Sequence, residues 1–332
     1  MEQKHFSTKT IADCGIFTAL AVMLILIGVY IPILGTLVMF LWSVPVMIVI
    51  LRNGFPAGVA VSVITALLAM VFVGVLNGLF AALFLTGFGL VYGICFQKQY
   101  SPGKTLLFGI LAASAVTVAA ITFGGVLGSL NFSSLLSSFE AHMREAYSAY
   151  ADAGLLDAVV PAGMTAQMYV DQIIAIMKQL LPAIFVIVAM MMAAGNYFFA
   201  VLILRRLRFD IRTLPKFRDW HLPWWIMWGL VVALLSLVAG NFTHNEVLIT
   251  LAKNIAISYC PVLIIAGIAF TRYLMVRVRM GVIFQVVIWL AAFMFLSVAI
   301  MFFILIGAVD TILDYRNTIE KHKSKKDGGM EK

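Results

Sequence analysis

The chain alternates apolar runs of about 20 residues with short polar joints, and this alternation narrows the choice of fold sharply. A helix of about 20 residues spans the hydrocarbon of a bilayer. Runs of this kind cover residues 11–31, 37–51, 57–73, 76–96, 105–127, 181–204, 224–238, 247–270 and 282–309. Apolar side chains make up 63% of the chain and charged ones 11%, where a soluble domain has about half and a quarter. The expected fold is all-α: a polytopic integral membrane bundle of eight or nine spans. The first run has cations before it, as a signal peptide would, but continues unbroken to Ile31. It is therefore expected to remain as a helix.

One joint sets the orientation. Residues 205–225 read RRLRFDIRTLPKFRDWHLPWW. Arg205, Arg206, Arg208, Arg212, Lys216 and Arg218 face only Asp210 and Asp219 there. Cations at span ends are retained on the cytoplasmic side, and Trp gathers at the membrane interface; Trp220, Trp224 and Trp225 supply that belt, with Trp228 one turn on. Lys4, Lys9, Arg52, Lys98, Lys104 and the cluster Arg272, Arg277 and Arg279 fall on the same side, against Arg144, Lys178 and Lys253 on the other. The amino terminus is predicted to be cytoplasmic, in a multi-pass protein of the cell membrane. The net charge of +8 then points to anionic headgroups and cytoplasmic proteins as partners, with no role for nucleic acid.

Four regions follow: a membrane domain over residues 1–207, a basic linker over 208–223, further membrane helices over 224–309 and a charged tail over 310–332. Within the first, residues 128–178 form a long polar excursion that the charge rule places outside. Leu135, Phe139, Met143, Tyr147 and Tyr150 recur there at three- or four-residue spacing, the period of an amphipathic helix. Asn131 is its expected N-cap, and Thr165 that of a second helix running through Pro182 into the sixth span. The last run poses a conflict. Nine simple spans put the tail outside, yet it carries Arg316, Lys321, Lys323, Lys325 and Lys326. A re-entrant pair would resolve this; one long tilted helix is the reading preferred here, since non-helical backbone at membrane depth needs protein around it.

Small residues four apart allow helices to approach closely in lipid. Gly15 and Ala19, Gly58 and Ser62 (with Ala66), and Gly89 and Gly93 are such pairs, and serve as candidate docking faces as well as ordinary packing faces. Polar groups within or near spans are candidate cavity contacts: Trp42, Ser43, Asn77, Gln179, Asn196 and Tyr197.

The order of spans, the excursion before the sixth, Arg205-Arg206, then Phe217-Arg218-Asp219-Trp220-His221-Leu222-Pro223, and finally Ile306-Gly307-Ala308-Val309-Asp310 with Asp314-Tyr315-Arg316 resembles the YybS-like family of bacterial membrane proteins. Its first half is grouped with the S components of energy-coupling-factor transporters. This resemblance implies six S-component-like helices, a small ligand captured from outside, and docking onto a coupling subunit driven by two ATPases. The first outside loop, residues 32–35, is shorter than the gating loop of S components, and the spans after the sixth have no counterpart there.

Catalytic signals are sparse. Gly103-Lys104-Thr105 lacks the earlier glycine and preceding strand of a phosphate loop, so no nucleotide site is expected. The spans hold no mid-depth acid or base of the kind that ion coupling requires; Lys253 is read as snorkelling from an outer end. Cys14, Cys95 and Cys260 and the five histidines show no metal-ligand spacing, so no metal or other cofactor is expected. Asp310 and Asp314 lie one helical turn apart and would be the basis of a metal-dependent enzyme. The expected function is small-molecule capture or transport-associated docking without catalysis; the alternatives are a ligand-free scaffold and an enzyme using Asp310 and Asp314.

Overall fold

A computed structural model describes residues 7–126, 132–155, 160–161 and 163–313. All regular elements among the described residues are helical, and eight helices are long and apolar enough to cross a membrane. The expected cap Asn131, and Asp314 with the cationic tail, lie outside the described residues. The helices gather into two compact units, Met1–Lys178 with Phe185–Thr213, and Gln179–Ile184 with Leu214–Lys332.

The first unit opens with α1 (Thr8–Tyr30), whose first turn is capped by Ser7 Oγ accepting the Thr10 N–H at 3.2 Å. The second apolar run is not the single helix expected. It breaks into α2 (Pro32–Met39) and α3 (Val44–Asn53), with a turn over residues 40–43. Pro45, in the first turn of α3, has no N–H for a carbonyl one turn earlier, so a helix starts there more readily than it continues. Val44 to Ile50 are all buried, and α3 is the centre of this unit. Around it stand α1, α4 (Phe55–Val73), a π-helical segment (Leu85–Leu90) and α6 (Val91–Gln97), with α5 (Val75–Phe84) packed against α4 and the π-helical segment. Gly54 and Gly74, at φ 89° and 86°, make the sharp turns on either side of α4. α7 (Pro102–Val126) begins at the expected Ser-Pro-Gly break.

α8 (Phe132–Asp152) bears the predicted amphipathic pattern: Phe139, Met143 and Tyr147 are half-buried, while Tyr150 is exposed. α9 (Ala166–Arg206) is one helix of 41 residues, capped by Thr165 Oγ1 on the Met168 N–H at 3.2 Å, as the sequence predicts. Its length of about 60 Å is twice the hydrocarbon thickness of about 30 Å. Some of its turns therefore lie beyond the hydrocarbon, and the first turns, which carry Asp171 and Lys178, are the charged ones opposite Arg205 and Arg206. Two ion pairs clasp these first turns to α8: Lys178 to Glu140 at 2.6 Å and Arg144 to Asp171 at 2.8 Å.

The second unit contains α10 (Trp228–Thr243), α11 (Glu246–Arg277), α12 (Val282–Met294) and α13 (Leu296–Leu313). His244 takes a left-handed conformation to reverse the chain, and Asn245 Oδ1 then caps α11 on the Val247 N–H at 3.0 Å. Gly267 and Gly307 let α11 and α13 meet backbone to backbone: a β-carbon on Gly267 would strike the Phe303 carbonyl, and one on Gly307 the Leu263 carbonyl. The pairing of 267 with 303 and 307 with 263 makes the two helices antiparallel.

The final run is a correction. It is not one tilted helix: it breaks at Phe295, and α12 folds back on α13. The Trp289 and Phe303 rings are 6.1 Å apart, where a continuous helix would separate them by about 21 Å. At about 20 Å, the 13 residues of α12 are too short to cross the hydrocarbon. α13 alone has the length to do so, and it ends away from the Arg277 end of α11.

Candidate functional site

The six polar residues singled out as cavity contacts fall in three separate places. Four converge in the interior of the first unit. Asn196 and Ser43 exchange hydrogen bonds, Nδ2 to Oγ at 2.8 Å and Oγ to Oδ1 at 3.0 Å. Asn196 Nδ2 also donates to the Phe40 carbonyl at 3.2 Å. That carbonyl is at the break between α2 and α3, so the amide from α9 serves a backbone acceptor that the interruption frees. Trp42 Nε1 donates to the Leu24 carbonyl at 3.0 Å, and Gly28 leaves room for its ring. Tyr197 packs edge-on to Tyr92, whose hydroxyl donates to the Ala193 carbonyl at 2.8 Å. Trp42, Ser43, Asn196 and Tyr197 are each at most 5% exposed. This is a closed knot of aromatic rings and short polar bonds, and it ties α9 to α1, α3 and the helix carrying Tyr92.

Asn77 lies apart from them. It borders a cleft of about 160 Å³ between α5 and α7, lined otherwise by apolar groups, among them Leu76, Phe80, Leu83 and Phe123. Its Nδ2 donates to the Val73 carbonyl at 3.0 Å across the Gly74 turn.

Gln179 belongs to the second unit, where it meets three polar residues of α11. Its Nε2 donates to Thr250 Oγ1 at 2.9 Å, and its Oε1 accepts from Lys253 Nζ at 3.2 Å. Asn254, which sequence reasoning overlooked, anchors the group. Its Oδ1 accepts the Ala183 N–H at 2.8 Å, and its Nδ2 donates to the Gln179 carbonyl at 2.9 Å. In an unbroken helix that N–H and that carbonyl bond to each other. Asn254 therefore spans the i to i−4 ladder of α9 beside Pro182, the repair that a proline within a membrane helix requires. The signal was available: Thr250, Asn254 and Ser258 recur every four residues within an apolar run.

The small-residue faces differ in occupancy. The spaces beside Gly58 and Gly93 are filled by Ile50, and that beside Gly89 by Val46. Ser62 is buried and donates to the Gly58 carbonyl at 3.0 Å. Gly15 and Ala19 are exposed, and nothing lies within 4 Å of a β-carbon built at Gly15.

Charged groups concentrate at the chain's joints. Arg205, Arg206 and Arg208 are exposed. Gln99 bonds the Asp210 carbonyl, which brings the joint before α7 beside the residues after α9. Arg52 lies over the Phe17 ring at 5.5 Å and the Phe209 ring at 5.9 Å. In the basic joint, Trp220 Nε1 donates to the Pro215 carbonyl at 3.0 Å, while Trp224 and Trp225 are exposed. On α8, the Lys178 ammonium hydrogen-bonded to Glu140 holds its carboxyl below the usual glutamate range, with the Arg144 charge adding to the effect. Asp310 is buried in the last turn of α13. Among the described residues, no group of three or more His, Cys, Asp or Glu is placed to hold a metal ion.

Comparisons with known proteins cover both units. The profile of a family described as a predicted membrane protein (DUF2232) matches residues 19–311. The uncharacterized protein YybS of Bacillus subtilis (strain 168) is 25% identical over 273 residues, which are 79% of this chain and 83% of that one. No solved structure matches the chain. The profile runs from the middle of α1 to the last turn of α13, so it takes in the α9 repair and the α11–α13 crossing alike, and the chain belongs to the DUF2232 family of predicted membrane proteins.

Proposed function

We propose that this protein is a non-catalytic subunit of the cell membrane that docks, through one face of α1, onto a second membrane-spanning protein. The observation that carries this reading is the open track at Gly15 and Ala19. The other glycine faces named above are filled by the chain's own side chains, whereas among the described residues nothing fills this one. Ile11, Ile16 and Met23, exposed on the same helix, flank it. In lipid, apolar side chains alone give helices little reason to associate, and small residues that admit a close backbone are what favour pairing. The S-component resemblance adds that the partner is a coupling subunit carrying ATPases, with the amino terminus of this chain in the cytoplasm.

The test is purification of the tagged chain from its native membrane in mild detergent, followed by identification of the bound chains. A membrane subunit with an associated ATPase should accompany the natural chain and be lost from Ala19→Leu, whose side chain fills the track. Retention of that subunit by Ala19→Leu would overturn the reading. A second reading, capture of a small apolar molecule, draws on the cleft beside Asn77. Native mass spectrometry of the same preparation decides it by the presence or absence of a bound small molecule that Asn77→Leu fails to retain.

A further inference from the structure

Lys253 is held in a way that a snorkelling lysine is not. Its ammonium is pinned to a neutral carboxamide, Gln179 Oε1, at 3.2 Å. No carboxylate lies within ion-pair distance of it among the described residues; Glu246, two turns earlier on α11, does not reach. The residue is exposed and stands on an apolar span, where an uncompensated charge is costly and usually serves a purpose.

The donors around it are not used up. An ammonium has three N–H groups, and one of them goes to Gln179. Thr250 Oγ1 accepts from Gln179 Nε2 at 2.9 Å, so its own proton remains available. The two donors are thus set on either end of one carboxamide. The backbone that carries that carboxamide is held in turn, because Asn254 bonds the Gln179 main-chain carbonyl and the Ala183 N–H. The proline interruption of α9 explains why the buried Asn254 is there; it does not explain the lysine. An ammonium and a hydroxyl proton held on the same carboxamide, with no carboxylate in ion-pair reach among the described residues, suit an oxyanion that offers several acceptor atoms.

We propose that Lys253 and Thr250 form an oxyanion site that takes a phosphate group, with Gln179 orienting both donors. The group has two possible sources, a phospholipid headgroup or free phosphate. The experiment uses the full chain in maltoside, which carries no phosphate, with three probes: inorganic phosphate, a short-chain phosphatidylglycerol, and the matching diacylglycerol without phosphate. Binding is read by native mass spectrometry and by protection against thermal unfolding. Phosphatidylglycerol should bind, diacylglycerol should not, and Lys253→Gln should weaken binding by about tenfold, the value of one charge-assisted contact. Lys253→Arg should keep most of the affinity, which excludes a folding defect as the cause. Binding of inorganic phosphate as well assigns the site to the free ion; binding of phosphatidylglycerol alone assigns it to the headgroup. Equal binding of diacylglycerol and phosphatidylglycerol, or no effect of Lys253→Gln, would overturn the proposal.

Discussion

Asn254→Ala is the perturbation whose cost follows most directly from the structure. The side chain is 8% exposed and makes bonds to the Ala183 N–H, the Gln179 carbonyl and the Thr250 carbonyl, all at 2.8–2.9 Å. Truncation leaves the first two without the partner that spans them. A buried unsatisfied group costs about 1–3 kcal/mol, and interhelical bonds within membranes fall toward the low end, averaging about 0.6 kcal/mol. Together these give about 2–3 kcal/mol. That cost depends on Pro182. In Pro182→Ala the ladder of α9 can close on itself, and Ala183 and Gln179 can bond directly. Asn254→Ala should then cost under about 1 kcal/mol, so the double-mutant cycle should show a coupling above about 1 kcal/mol. Reversible unfolding in mixed micelles, titrated with a denaturing detergent, measures all four proteins. If Asn254→Ala costs the same in both backgrounds to within about 0.5 kcal/mol, the amide does something other than mend a proline break.

Three further outcomes follow from the geometry. Gly307→Ala sets a β-carbon against the Leu263 carbonyl and 2.9 Å from the Gly267 nitrogen; backbone cannot swing aside as a side chain does, so the same unfolding assay should show a loss of about 1–3 kcal/mol, whereas Gly15→Ala, with open space around it, should change almost nothing. The depressed pKa of Glu140 means that the Lys178–Glu140 half of the clasp between α8 and α9 is complete above the ordinary glutamate pKa and is lost as pH falls through the lower, folded value; hydrogen exchange in α8 should rise on acidification through that window, and Glu140→Gln should reduce the rise to what the Arg144–Asp171 pair contributes. In the proposed orientation, a cysteine introduced at Ser138 reacts with an impermeant reagent in intact cells; reaction only after lysis would invert the map.

How much of this could be read from sequence depended on the range of the interactions. The helices α4, α7 and α11 and the α9 cap at Thr165 were legible because hydropathy and capping are local properties. The break at residues 40–43 was missed although Pro45 stands at its edge: Trp42 and Ser43 lie within an apolar run, and the pairing of Ser43 with Asn196, 153 residues away, shows what the turn is held by. The fold-back at Phe295 has no proline or glycine beside it, so nothing in residues 282–309 announces it. The polar candidates were correctly seen as unusual residues for a span, but composition could not say that four of them would meet in one knot while Asn77 and Gln179 would not. Asn254 was missed because an asparagine and the proline break it mends lie on different spans, and neither helix alone shows the need for the other.

The central claim is that α1 offers its bare face to another membrane protein. A photoreactive amino acid placed at Met23, which flanks the track and is exposed, and separately at Val63, an exposed apolar position on α4, tests it in living cells. Illumination should attach the chain to one defined membrane subunit from position 23 and only to lipid from position 63. Lipid adducts alone at both positions, or the same protein captured equally from each, would contradict it.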